Sequence, residues 1–129
     1  MLDTPLLGSP QMSTDDDARA TSARSIGSLS LRSERDGETH VVALLGELDI
    51  AGAPALEEEL LRVEATDAAK IVVDLSRLEF IDSTGIRLVV MAADRCSGHG
   101  RLTLLRGPKQ VHRVFEITDL AQRLPFADA

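Results

Sequence analysis

The sequence contains no Trp and no Tyr, and only three Phe among its 129 residues. A hydrophobic core must therefore be assembled from Leu, Val, Ile and Ala. Cys96 is the one cysteine, which excludes an intrachain disulfide; its place in a helical pattern predicts a buried thiol. No apolar run approaches the ~20 residues needed to cross a bilayer. No basic segment at the N-terminus leads into an apolar stretch, so no signal peptide is expected. Basic charge is also in deficit, with a formal net charge of -7 at pH 7. Phosphate backbones are held by basic faces, so nucleic acid is not expected as a direct partner. These absences together predict a cytoplasmic protein with no membrane partner.

Motifs for chemistry are missing as well. The chain has neither a Gly-x-x-x-x-Gly-Lys phosphate loop nor a Gly-x-Gly-x-x-Gly turn. His40, His99 and His112 have no spacing that suggests a triad or a metal site, and a single cysteine argues against zinc. Ser83 is not in a Gly-x-Ser-x-Gly elbow, because Ile81 stands two residues before it. A small hydrolase with Ser83 as nucleophile is thus disfavoured. The expectation is a protein that is not an enzyme and needs no cofactor or metal.

What remains fits one domain of ordinary size. Residues 1–27 are rich in Ser, Thr, Asp, Ala and Pro and include the acidic run Asp15-Asp16-Asp17, which predicts a disordered tail. The folded domain is expected over residues 28–129. Leu29 and Leu31 alternate with Ser28, Ser30 and Arg32 as in a half-buried edge strand. Asp36-Gly37 signals a hairpin turn, and His40 to Leu45 returns as a more fully buried strand. Pro54 suits the first turn of a helix in which Leu56, Leu60 and Val63 recur at helical spacing. Lys70 to Leu75 reads as a central strand, reached by a parallel crossover. A second helix, from Thr84 to Cys96, carries an apolar stripe of Ile86, Val89, Val90 and Ala93. Arg101 to Leu105 is a further strand. Val111, Val114 and Phe115 mark a third helix, and Leu124-Pro125-Phe126 a closing segment. The fold class is α/β: a mixed β-sheet with an opening hairpin and parallel crossovers packed against helices.

The centre of the sequence is Ile71-Val72-Val73-Asp74-Leu75 followed by Phe80-Ile81-Asp82-Ser83-Thr84-Gly85. A strand leads through a loop to a helix start, where backbone N–H groups favour an anion. Ser83 is read from spacing as a helix N-cap, a role worth ~1 kcal/mol over Ala. Arg87 lies four residues later, one turn away. It is either a solvated arginine or a partner for an anion held at Ser83. Asp49 is either a turn residue leading into the first helix or part of a surface beside the Ser83 loop. Asp74 is expected to orient that loop.

The segment from Phe80 to Gly85 resembles the phosphorylation motif of the bacterial anti-sigma factor antagonists, which carry the STAS domain. Gly46-Glu47-Leu48-Asp49 with Ala53-Pro54-Ala55-Leu56 resembles the family's second strand and first helix entry, Val73-Asp74-Leu75-Ser76 the strand before the motif, and Val114 to Leu120 the C-terminal helix. Four blocks in the family's order cover roughly residues 28 to 127. One departure is Gly52, where relatives often carry Ser or Thr. Another is Arg87, where many have a small residue. The resemblance implies that Ser83 is a phosphoacceptor and that Asp49, Asp82, Ser83, Thr84, Gly85 and Arg87 form a partner-binding surface. It implies that the unphosphorylated protein binds an anti-sigma factor that is itself a serine kinase, releasing a sigma factor. Phosphorylation of Ser83 would end that binding, and a phosphoserine phosphatase would restore it. The alternative is a STAS scaffold or transporter-associated module without sigma-factor control.

Overall fold

The computed structural model describes residues 19–98 and 100–127. Five strands and three helices are found among them: β1 (Arg19–Ile26), β2 (Leu29–Asp36), β3 (Thr39–Leu48), α1 (Ala53–Glu64), β4 (Lys70–Ile81), α2 (Ser83–Cys96), β5 (Leu102–Leu105) and α3 (Lys109–Ile117). The strands form one mixed sheet in chain order. β1, β2 and β3 pair antiparallel, with Asp36 opposite Thr39 at the predicted hairpin turn. β3, β4 and β5 pair parallel, because a helix intervenes at each crossover.

One face of this sheet is buried. Leu31, Val42, Leu44, Ile71, Val73, Leu75 and Leu104 alternate inward and join a single core with residues of all three helices. The largest side chain in it is Phe115, fully buried; the rest is mostly Leu, Ile and Val, as the shortage of aromatics requires. Each buried aliphatic side chain contributes roughly 1.5–3 kcal/mol. Cys96 is buried as expected, and its burial pushes the thiol pKa up. No helix among the described residues is long and apolar enough to cross a membrane.

Four expectations need correction. Of the tail expected to be disordered over residues 1–27, Arg19–Ile26 form a strand and Gly27 lies in the turn that follows; residues 1–18 lie outside the described ones. Thr21 to Ser25 are exposed, so this strand has no apolar alternation and is held by its backbone ladder to β2. The central strand does not stop at Leu75 but runs on to Ile81. Register shifts against β3 restore Leu78 and Ile81 to the core side, which hides the continuation from a simple period of two. Asp74 therefore lies within the strand, its Oδ1 accepting from the Ser76 N–H at 2.9 Å. On α2, Ile86 and Val89 are buried as predicted, but Leu88, Ala92 and Cys96 complete the inward face while Val90 and Ala93 are only partly covered.

Two polar arrangements consolidate the helical side. Arg101 donates to three carbonyls, those of Ala68 (2.8 Å), Glu64 (2.9 Å) and Thr66 (2.7 Å). It thereby satisfies the chain leaving α1, whose last carbonyls have no intrahelical donors. Glu59, on α1, is buried and held by Arg62 through two hydrogen bonds of 2.5 and 3.2 Å. Near it, Ser33 Oγ and His40 Nε2 lie 2.5 Å apart inside the β2–β3 pair.

Candidate functional site

β3 and β4 end together, with Leu48 opposite Ile81. The chain beyond each strand forms a turn into a helix, and the two turns lie side by side. The Asp82 N–H donates to the Leu48 carbonyl at 3.1 Å, tying them together. This is the carboxyl edge of the parallel strands, where open α/β sheets place their binding sites.

In the first turn, Asp49 is half-buried and its Oδ1 accepts from the Ala51 N–H at 3.1 Å. Its carbonyl accepts from Gly52 and Ala53. Asp49 is thus a turn residue, and the same turn puts it beside the loop of Ser83. Gly52 is the N-cap of α1 and has no side chain with which to cap it. A Cβ there would fall 2.7 Å from Leu29 Cδ2, so close packing on β2 accounts for the glycine.

In the second turn the cap is Asp82, not Ser83. Asp82 has extended backbone angles, and its Oδ1 accepts from the Gly85 N–H at 3.1 Å. Ser83 is consequently the first residue of α2 and is exposed, its hydroxyl forming no hydrogen bond among the described residues. The spacing rule that made Ser83 a cap was off by one position, because Asp and Ser are both good caps. Thr84 is half-buried and Gly85 buried. Arg87 is exposed one turn further along α2, on the face of Ser83.

The structure therefore brings Asp49, Asp82, Ser83, Thr84 and Gly85 to one edge, with Arg87 on the adjoining helix surface. Two further residues belong to this edge and were not singled out from the sequence. Ile50, in the Asp49 turn, is 74% exposed, and Phe80, near the end of β4, is 49% exposed. Both leave apolar surface open to solvent near the Ser83 loop. The sequence signal for Ile50 was available: it stands in a turn, between an aspartate and two small residues, where no core packing calls for isoleucine.

Chemically, this edge is suited to binding and modification. It offers a free hydroxyl at a helix N-terminus, whose N–H groups tolerate an added anion. Two carboxylates stand nearby, and among the described residues no histidine lies at the turn.

Comparison with known proteins agrees in fold and family. Residues 31–125 match the family described as "Mlab, STAS domain". The anti-sigma-B factor antagonist of Staphylococcus aureus is 30% identical over 93 residues, covering 71% of this chain and 86% of that protein. The crystal structure of an anti-sigma factor antagonist from Mycobacterium paratuberculosis superposes with a TM-score of 0.72 at 25% identity, over 79% of this chain and 87% of that one. The anti-sigma factor antagonist SpoIIAA in its unphosphorylated form superposes with a TM-score of 0.60 at 25% identity, over 85% and 88%.

Proposed function

The chain belongs to the STAS-domain family of anti-sigma factor antagonists, and from that premise we propose that it is a phosphorylation-controlled binding protein switched at Ser83. Unphosphorylated, it binds an anti-sigma factor with serine kinase activity, and that binding frees a sigma factor for RNA polymerase. The kinase transfers the γ-phosphoryl group of ATP to Ser83 Oγ, and the modified antagonist dissociates. A phosphoserine phosphatase resets it. The domain supplies no catalytic group to this cycle; ATP belongs to the partner.

The observation that carries this reading is the division of labour between Asp82 and Ser83. Asp82 caps α2, so the Ser83 hydroxyl is exposed and free to react. Phosphorylation adds about -1.5 to -2 charge. At the first position of α2 the added oxygens meet a helix N-terminus and leave the core untouched. The fold survives and the surface changes sign-sensitively. Asp49 and Asp82 already make this edge acidic, so a partner adapted to it is repelled by a further dianion, whose burial costs several kcal/mol unless paired. Ile50 and Phe80 supply the apolar part of the contact.

The first test is intact mass and site mapping of the protein purified from its own cells, beside a Ser83→Ala variant. A phosphoryl increment that maps to Ser83 and is lost in the variant is expected. Absence of any phosphoryl group across growth and stress conditions would overturn the switch and leave a constitutive binding module.

A further inference from the structure

The two edges of the sheet are finished differently. At β5 the C-terminal segment closes the edge: the Leu104 N–H donates to the Pro125 carbonyl at 2.9 Å, and the Ala127 N–H to the Leu104 carbonyl at 2.8 Å. At the opposite edge stands β1, and among the described residues no backbone hydrogen bond joins it to any element but β2. β1 lies wholly before residue 31, where the match to the family begins, so it is an addition to the shared domain. It brings no apolar row to the core, with Thr21 to Ser25 exposed. Even so, it keeps an unbroken register with β2, from Arg19 opposite Asp36 to Ile26 opposite Leu29. What β1 adds to the domain is a bare strand edge.

The turn at Gly27 and Ser28 fixes which backbone groups lie on that edge. A two-residue hairpin loop closes on a hydrogen-bonded pair, here Ile26 with Leu29. Hydrogen-bonded and non-hydrogen-bonded pairs then alternate, so Thr21, Ala23 and Ser25 turn their N–H and C=O groups away from β2. Nothing in β1 guards them. The strand has no Pro and no Lys, and its pairing has no bulge, the devices by which edge strands avoid further pairing. Arg24 is drawn toward α1, where it donates to Glu58 at 3.1 Å. Its neighbours Thr21, Ser22, Ala23 and Ser25 are small and leave the backbone approachable.

We propose that β1 pairs antiparallel with β1 of a second copy of this chain, joining the two sheets into one. A two-fold axis makes such a contact closed and self-complementary. The ladder requires outward-facing residues to meet one another, which places the axis on a residue. With the axis on Ser22, Thr21 meets Ala23 and Arg24 meets Ala20. With it on Ala23, Thr21 meets Ser25 and Arg24 meets Ser22. Neither register sets arginine against arginine, and like charges directly opposite are what such pairs must avoid. A chain of net charge -7 repels its copies, and β1, with two arginines and no carboxylate, is a side on which that repulsion is relieved. The strand ends beside the Asp49 turn, since a Cβ on Gly27 would lie 3.5 Å from Ala51 Cβ. Antiparallel pairing therefore sends the two Ser83 edges to opposite poles, where both stay open. The contact is independent of Ser83 and stands whether or not that residue is phosphorylated.

The test is sedimentation velocity of the full chain over a wide range of concentration, with hydrogen exchange of the β1 amides on the same samples. A species of twice the 13.9 kDa chain mass is expected to grow as concentration rises, with the Thr21, Ala23 and Ser25 amides slowing in step. Ala23→Pro removes an outward N–H and none from the β1–β2 ladder, and edge strands tolerate proline at such positions. It should raise the dimer dissociation constant by about tenfold or more while the circular dichroism stays that of the parent. Should the proline loosen β1 from β2, Thr21→Lys with Ala23→Lys gives the same reading, since either axis sets lysine against lysine. A monomer at every concentration would overturn the proposal, as would a dimer that the folded Ala23→Pro variant leaves unchanged. Slow exchange of the three amides in a chain that stays monomeric would mean that residues 1–18 cover the edge, and that too would overturn it.

Discussion

Gly85 lies against Leu48 so closely that a Cβ on the glycine would fall 2.7 Å from Leu48 Cδ2 and 2.9 Å from Ile81 Cγ1. The first turn of α2 thus rests directly on the paired ends of β3 and β4. Leu48 is fully buried, so it has little room to move away. Gly85→Ala should therefore destabilise the domain by about 1–3 kcal/mol through overpacking, less the ~1 kcal/mol that alanine gains in a helix. Urea denaturation measures this. A variant as stable as the parent would show that Leu48 repacks freely.

Asp82 has two separable properties, its cap and its charge. Asp82→Ala removes the hydrogen bond to the Gly85 N–H and should cost ~1 kcal/mol. Asp82→Asn keeps an oxygen in the same place and should be nearly as stable as the parent, since Asn and Asp cap about equally well. The neutral variant also carries one less negative charge beside Ser83. Its phosphorylated form should release the partner less completely, read as a smaller affinity difference between the unmodified and modified proteins. An unchanged difference would mean that Asp82 is only a cap.

The buried histidines make stability depend on pH. Burial pushes the His40 imidazole below its ordinary pKa, and the neighbouring Arg62 and Arg35 push the same way against Glu59. Burial, aided by Arg106, lowers His112 too. Above about pH 6.5 the rings are neutral in both folded and unfolded chains, and no proton is exchanged on unfolding. As pH falls through that value the unfolded chain takes up protons that the folded one refuses, so stability declines until the folded-state pKa is passed. Glu59 has the opposite balance of causes. Burial would raise its carboxyl, but the hydrogen bonds of Arg62, aided by the nearby Ser33 hydroxyl, outweigh that and hold it low. Its contribution is lost only at more acid pH, as pH falls through that lowered value. Urea midpoints at about pH 7.5 and 5.5 should differ, with the acid value lower, and His40→Gln should flatten part of the difference. A pH-independent midpoint in the parent would contradict the burial of both rings.

The sequence was most legible where burial follows a simple period. Leu56, Leu60 and Val63 on α1, Ile71, Val73 and Leu75 on β4, and Val111 with Phe115 on α3 all face the core. It was least legible where backbone contacts replace side-chain burial or where register shifts. β1 has no inward row, and β4 hides its second half behind a bulge. Arg101 was unreadable for another reason. Its three acceptors are carbonyls more than thirty residues away in sequence, and carbonyls carry no residue signature. At the site, motif resemblance picked out Ser83 and Asp82, and geometry was needed to tell which of them caps the helix.

Ile50 and Phe80 give the sharpest separation between folding and binding. Ile50 is largely exposed, so Ile50→Ser should keep stability within about 0.5 kcal/mol of the parent, whereas Phe80 is about half covered and Phe80→Ser should cost about 1 kcal/mol. Partner binding should respond quite differently. Apolar anchors buried at the centre of an interface commonly contribute 1–2 kcal/mol or more each, so each change should weaken binding by roughly tenfold. The effect should fall on the dissociation rate, because neither residue carries charge to steer encounter. Calorimetry or surface-based kinetics with the anti-sigma kinase proposed as partner measures it, with Ser83→Asp run in parallel. Ser83→Asp should also leave stability intact and abolish most binding, by repulsion at the edge formed by Asp49 and Asp82. If Ser83→Asp blocks binding while the two apolar changes do nothing, the partner reads the charge of this edge without covering Ile50 and Phe80, and the contact surface must extend along α2 past Arg87 instead.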